Sequence, residues 1–276
     1  MEKKFIGAGL LAGLIAGIVS FVFARFYLEP VVGKAIDYES ARSAAEEALA
    51  HAAEPGGHTH GEGGELFTRA MQENLGAGIG NVVFAVCMGA FFAVAFTVLW
   101  SHVGSRHPAT DPRAVAGVLG GIGFVAVFAV PFFAYPANPP AVGDDDTIGE
   151  RTGAFLTITV SSVILAIAAV VLASWLRPRI GGLVSAVAAT VAYLAGIAIV
   201  LAFLPSFSEV PGPVRDDAGQ IVFPGFPGDV IGDFRGYAIA NQVILWTVLT
   251  VSFALIVGAM ARSQATDRAR AVSVPN

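Results

Sequence analysis

Three of the chain's five histidines, His51, His58 and His60, fall within ten residues of one another. Glu62 follows closely, in the run Pro55-Gly56-Gly57-His58-Thr59-His60-Gly61-Glu62-Gly63-Gly64-Glu65. Imidazole suits Zn, Cu, Fe and Ni, and carboxylates broaden the choice, so a borderline divalent ion such as Co²⁺ fits this donor set. Glu47 precedes His51 by four residues, which puts both on one face of a helix. A glycine-rich backbone does not preorganise a site. The expectation is therefore weak capture of a cation by His51, His58, His60 and Glu62, with plain solvation of a polar loop as the competing reading.

A second set of oxygens follows the segment Pro131 to Asp146. Pro131 is followed by Tyr135-Pro136-Ala137-Asn138-Pro139-Pro140 and then by Asp144, Asp145 and Asp146. A proline at membrane depth frees backbone carbonyls, which only protein or water can satisfy there. Carbonyls and carboxylates are hard oxygen ligands, so this segment could form an ion entrance. The competing and commoner reading is a rigid proline turn followed by a solvated acidic loop. Neutral polar side chains extend the series into apolar surroundings. Asn74 and Asn81 stand seven apart, and Asn241 with Gln242 opens the last apolar run. Together with Pro131 and Asn138 they are candidate path residues, although hydrogen bonding between helices is the commoner use of such side chains.

No catalytic constellation accompanies these groups. The chain has no Gly-x-Ser-x-Gly, His-Glu-x-x-His, Walker glycine loop or Cys-x-x-Cys, so neither an enzyme nor a resident cofactor is expected. Its one cysteine, Cys87, lies in an apolar run and excludes a disulfide framework. A net charge of −5 argues against a nucleic-acid partner.

The elements that must position these residues follow from composition. Of 276 residues, 55% are hydrophobic and 13% charged, with a mean hydropathy of +0.70. Soluble domains carry about 25% charged residues, so the chain reads as an all-α polytopic bundle whose first partner is the lipid bilayer. Six runs reach the roughly 20 residues that a membrane crossing needs. They are 5–28, 75–100, 114–133, 153–176, 180–204 and 238–261, within one transmembrane domain over 1–276. Lys3 and Lys4 precede the first run as in a secretory signal, but about 24 apolar residues exceed the ~7–15 of a signal core. That span is expected to be retained. Glu29-Pro30 is expected to end it, with a short external helix over Ser40–Ala53 capped at Ser40.

Nine bases (Lys3, Lys4, Arg106, Arg113, Arg177, Arg179, Arg262, Arg268 and Arg270) fall on the side of the two termini, which the positive-inside rule makes cytoplasmic. Eighteen of the twenty-one acids fall on the other side, in the loops 29–74, 134–152 and 205–237. Such a negative face concentrates cations before they enter, although solubility alone could also account for it. The first of these loops ends in Leu66, Phe67, Ala70 and Met71 at helical spacing, an amphipathic elbow. In the last of them, Asp216–Phe223 reads as a hairpin and Pro224-Gly225-Phe226-Pro227-Gly228 turns the chain back as a lid. Gly13 with Gly17, Gly76 with Gly80 and Gly117 with Gly121 are small-xxx-small pairs that let helices approach.

Several segments, in order, resemble the CbtA family, most closely its actinobacterial branch. They are Leu11-Ala12-Gly13-Leu14-Ile15-Ala16-Gly17, Ala35-Ile36-Asp37-Tyr38-Glu39-Ser40, Tyr135-Pro136-Ala137-Asn138-Pro139-Pro140, and Phe223-Pro224-Gly225-Phe226-Pro227 with Phe234-Arg235. The resemblance runs from the first span to the last. It implies a multi-pass plasma-membrane subunit that imports cobalt for cobalamin synthesis beside CbtB, a small single-span companion with a histidine-rich end. Other branches carry tryptophans after the third-span prolines, where this chain reads Ile148-Gly149-Glu150-Arg151-Thr152-Gly153. The resemblance supplies no ligand positions. The alternative is a non-transporting scaffold or accessory subunit of another envelope complex, which the packing glycines and the absence of charge at mid-span also suit.

Overall fold

Small side chains face inward on the first helix and large ones outward, the reverse of a soluble helix. Ala8, Ala12, Ala16 and Ser20 are buried while Leu10, Leu11, Leu14, Ile15 and Ile18 are exposed. In a bilayer the lipid accepts large apolar side chains, and close backbone approach selects the small ones. The computed structural model describes residues 2–53, 76–106 and 109–272. Among these residues, six helices are long and apolar enough to cross a membrane. The expected all-α polytopic bundle is therefore the fold.

The helices are α1 (Glu2–Phe23), α2 (Glu29–Ala53), α3 (Ala77–Arg106), α4 (Pro112–Gly123), α5 (Val130–Ala134), α6 (Ile148–Ile180), α7 (Gly182–Phe203) and α8 (Gly228–Val272). Two π-helical turns join short pieces into long helices: Ala24–Leu28 links α1 to α2, and Phe124–Ala129 links α4 to α5. Each comes just before a proline, Pro30 or Pro131, at the second position of the next α-helical piece. Proline lacks an N–H and its ring presses on the carbonyl four residues back. A wide turn with one extra residue shifts the ladder past that defect. Pro30 consequently does not end the first helix, contrary to expectation. Ser40 lies inside α2 and caps nothing.

By contacts the chain divides into two compact units. The first comprises Met1–Phe26, Phe67–Phe124 and Ile239–Asn276, and the second Tyr27–Leu66 and Val125–Ala238. In the first, α1 and α3 cross on glycine. A Cβ on Gly9 would collide with the Gly89 carbonyl, and one on Gly89 would come within 2.9 Å of Gly13 Cα. Beyond the crossing, Phe92 and Phe96 of α3 meet Phe253 of α8 edge-on at centroid distances of 5.0 and 4.9 Å. Thr250 and Trp246 of α8 fill the space that side chains at Gly120 and Gly123 of α4 would need. Of the glycines in the predicted pairs, Gly13 and Gly17 do face α3, whereas Gly80, Gly117 and Gly121 have open space where a side chain would be.

In the second unit α6 and α7 pack side by side, joined through Gly181 alone at φ +82, a conformation that favours glycine. Ser162 and Tyr193 share a buried 2.7 Å hydrogen bond between these helices. The predicted hairpin is present: β1 (Val214–Arg215) pairs antiparallel with β2 (Ile221–Phe223). Its turn is held by Gly219 N–H donating to the Asp216 carbonyl and by Gln220 N–H donating to Asp216 Oδ1. Phe226 and Val230, just after it, pack with Val31, Ala35, Tyr38 and Val142 in a small core. Positions 31, 35 and 38 form one stripe of α2, which explains why that helix stays ordered beyond the apolar run.

Candidate functional site

The acidic residues that could receive a cation are built into the loops around α6. Asp144 N–H donates to Glu209 Oε2 at 2.9 Å, and Thr147 Oγ1 donates to Glu209 Oε1 at 2.7 Å. Arg151 Nη2 donates to the Asp144 carbonyl at 2.8 Å. Arg151 Nε also lies 3.3 Å from Glu209 Oε2. That contact is an ion pair, too poorly aligned to be a hydrogen bond. Thr147 and the Asp144 amide, with help from Arg151, hold the Glu209 carboxyl below the usual glutamate range. A side chain at Gly143, where φ is +134, would meet Arg151 Cζ at 2.8 Å, so only glycine leaves room for this arginine.

The three aspartates have a structural duty within this arrangement. Asp144 accepts from Asp146 N–H at 3.0 Å and starts the 3-10 turn Asp145–Thr147 that leads into α6. Asp144, Asp145 and Asp146 are all exposed. Among the described residues, no three His, Cys, Asp or Glu side chains converge as a metal site. His51 is exposed near the end of α2. His58, His60, Glu62, Asn74 and the elbow before the second span lie outside the described residues.

The neutral polar residues divide by partner. Asn81 Nδ2 donates to the Gly17 carbonyl at 3.0 Å and to Ser20 Oγ at 2.7 Å, tying α3 to α1. Asn138 Oδ1 accepts from Arg235 Nη2 at 2.7 Å, and the same arginine reaches the Ala137 carbonyl. Pro131 is fully buried, and its carbonyl accepts the Tyr135 N–H at 2.8 Å. Gln242 is half-buried. Asn241 is only 8% exposed, and its Oδ1 has no hydrogen-bond donor.

Sequence reasoning missed four residues that organise this face. Tyr38 donates to the Pro224 carbonyl at 3.0 Å, and Arg42 donates to the Gly212 carbonyl at 2.7 Å. They fasten α2 to the loop after the hairpin. Glu209 and Arg151 belong to no motif and stand in the sequence as isolated charges. The one available signal was the apolar stripe Val31, Ala35 and Tyr38, which continues past Pro30 at helical spacing.

Residues 2–258 match the family CbtA, described as a probable cobalt transporter subunit. The chain belongs to the CbtA family. No curated protein and no solved structure matches it significantly. A CbtA chain with six membrane-crossing helices is a multi-pass membrane protein, and as a transporter subunit its cargo is a metal cation. Membership also fits the resemblance of the segments around Tyr38, Asn138 and Phe226. Two of those three residues, Tyr38 and Phe226, sit in the loop-side core with ring centroids 4.8 Å apart.

Proposed function

We propose that this CbtA chain is the membrane-embedded subunit of a cobalt uptake system serving cobalamin synthesis, with both termini in the cytoplasm. The carrying observation is the family match over nearly the whole chain, joined to six membrane-crossing helices. The charge distribution supports the direction. Eighteen acids on the face away from the basic termini raise the local concentration of a divalent cation before entry. Exposed Asp145 and Asp146, and His51 with its neighbours His58, His60 and Glu62, are the groups that gather it. Glu209 and Asp144 serve the loop's own architecture instead, because Arg151 and Thr147 already occupy them. A small single-span histidine-bearing subunit of the CbtB kind completes the system.

The test is accumulation of radiolabelled cobalt in cells that express the chain with such a partner. Uptake above an empty-vector control is expected, and equal uptake overturns the reading. Replacing His58 and His60 with Ala should lower uptake at scarce metal and leave it unchanged at excess.

A further inference from the structure

Within the first unit, α4 and α8 run antiparallel along one seam, and three glycines fix its register. A Cβ on Gly258 would come within 2.8 Å of Arg113 Cδ, one on Gly120 would overlap Thr250, and one on Gly123 would meet the Trp246 ring. Two cavities open on this seam. The first, of about 300 Å³, is lined by Asp111, Pro112, Arg113, Gly258, Ala261 and Arg262. It lies where both membrane-crossing helices reach their ends on the side of the basic termini. The second, of about 290 Å³, is a mainly apolar groove between Gly120, Gly121 and Phe124 on one side and Thr247, Thr250 and Val251 on the other. A Cβ on Gly121 would meet nothing within 4 Å, so that wall stands open.

The first cavity has the charge of an anion site. Arg113 donates from Nε and Nη2 to Asp111 Oδ2 at 2.9 and 2.6 Å, which leaves Nη1 for a ligand. Asp111 also caps α4 by accepting the Arg113 N–H at 2.9 Å. Those bonds, with a smaller contribution from the Arg262 charge, hold the Asp111 carboxyl below its usual range. The Arg262 charge thus reaches the same carboxylate, and two guanidinium groups against one carboxylate leave the lining net positive. Arg113 to Gly120 and Gly258 to Val251 are seven residues each, about 10 Å along either helix. The headgroup layer is roughly 5–8 Å thick on each side of a bilayer, so the groove begins where acyl chains do.

We propose that the α4–α8 seam binds an anionic phospholipid, with its phosphate between Arg113 and Arg262 and one acyl chain in the groove beside Gly121. Basic pockets between membrane helices on the cytoplasmic side take acidic lipid headgroups, and arginine presents paired N–H donors that match two phosphate oxygens. A free phosphate would use the first cavity alone, and the groove in line with it selects a lipid. The site needs only that the chain spans a bilayer, and it stands whichever metal is the cargo.

The test is lipid retention by the full chain in neutral detergent, read by native mass spectrometry during titration with phosphatidylglycerol or with phosphatidylcholine of identical chains. Phosphatidylglycerol should bind more tightly, and equal retention overturns the proposal in favour of unspecific lipid coating. Arg262→Gln should weaken phosphatidylglycerol binding about fivefold, the factor that one basic residue near an anionic surface contributes. Asp111→Asn keeps a good helix cap and removes the competing carboxylate, so binding should tighten by a similar factor. A merely structural arginine–aspartate pair predicts no tightening, and wild-type affinity in either variant overturns the headgroup assignment. Gly121→Leu places a good helix former in the open groove and should lower phosphatidylglycerol retention while the lipid-free melting temperature holds. Unchanged retention there overturns the acyl groove. Inorganic phosphate that competes on equal terms with phosphatidylglycerol overturns the lipid in favour of a free-phosphate site.

Discussion

Substituting Gly89 with Ala tests how the first unit is held together, because the same change at Gly117 should do the opposite. At Gly89 the new methyl would overlap the Gly9 carbonyl and stand 2.9 Å from Gly13 Cα, where ordinary contact begins near 3.4 Å. Every atom it meets is backbone, so no rotamer relieves the clash and α1 must retreat from α3. Overpacking of this kind costs about 1–3 kcal/mol, and backbone targets put the cost near the upper end. Separation also stretches the Asn81 bonds to Gly17 and Ser20, each interhelical bond being worth about 0.6 kcal/mol in a membrane. Alanine's better helix propensity returns about 1 kcal/mol. The net loss is therefore about 2–3 kcal/mol. For a chain of this size that is a fall of roughly 5–10 °C in melting temperature.

At Gly117, exposed on α4, nothing lies within 4 Å of the added methyl. Only the propensity gain of up to about 1 kcal/mol remains, so Gly117→Ala should melt at or slightly above the wild type. The measurement is thermal unfolding of detergent-purified protein followed by size exclusion. Since Gly9 and Gly89 meet at one point, Gly9→Ala and Gly89→Ala together should cost less than the sum of the two. Equal melting temperatures for Gly89→Ala and Gly117→Ala would refute the argument, because the two glycines would then be interchangeable packing residues.

Two further outcomes follow from the second unit. Glu209 has a folded pKa below its ordinary 4.5, so its stabilising contribution is fully present above that value and disappears as pH falls through the depressed one. Glu209→Gln should flatten the acid limb of a melting-temperature profile taken between about pH 6 and pH 3, and an unchanged limb would dismiss the Glu209 contacts with Thr147, Asp144 and Arg151 as a source of pH dependence. Tyr193→Phe removes the buried bond to Ser162 and should cost about 0.6–1.7 kcal/mol. Ser162→Ala in the Tyr193→Phe background should add little, and additive losses would show that the hydroxyls act independently.

The six spans were legible because a single length, the thickness of the hydrocarbon layer, sets them and apolar composition reports it directly. Their ends obey a different balance. In water, Glu29-Pro30 would stop a helix cheaply, since solvent satisfies the freed carbonyls. Within or beside a membrane those carbonyls need protein partners, and a π-helical turn before Pro30 keeps most of the ladder intact at the cost of one wide turn. The same solution recurs before Pro131, so the rule that misplaced the first helix end is a rule about water rather than about proline. Charges were equally half-legible. The sequence sorts acids from bases by side, but it cannot show that Glu209 meets Thr147 and Arg151 across some sixty residues, or that this carboxylate is thereby withdrawn from cation capture. The neutral residues invert that pattern. Asn81 and Asn241 look alike as lone amides in apolar runs, and the structure separates them by partner: Asn81 spends its amide on α1, whereas Asn241 keeps a buried oxygen free.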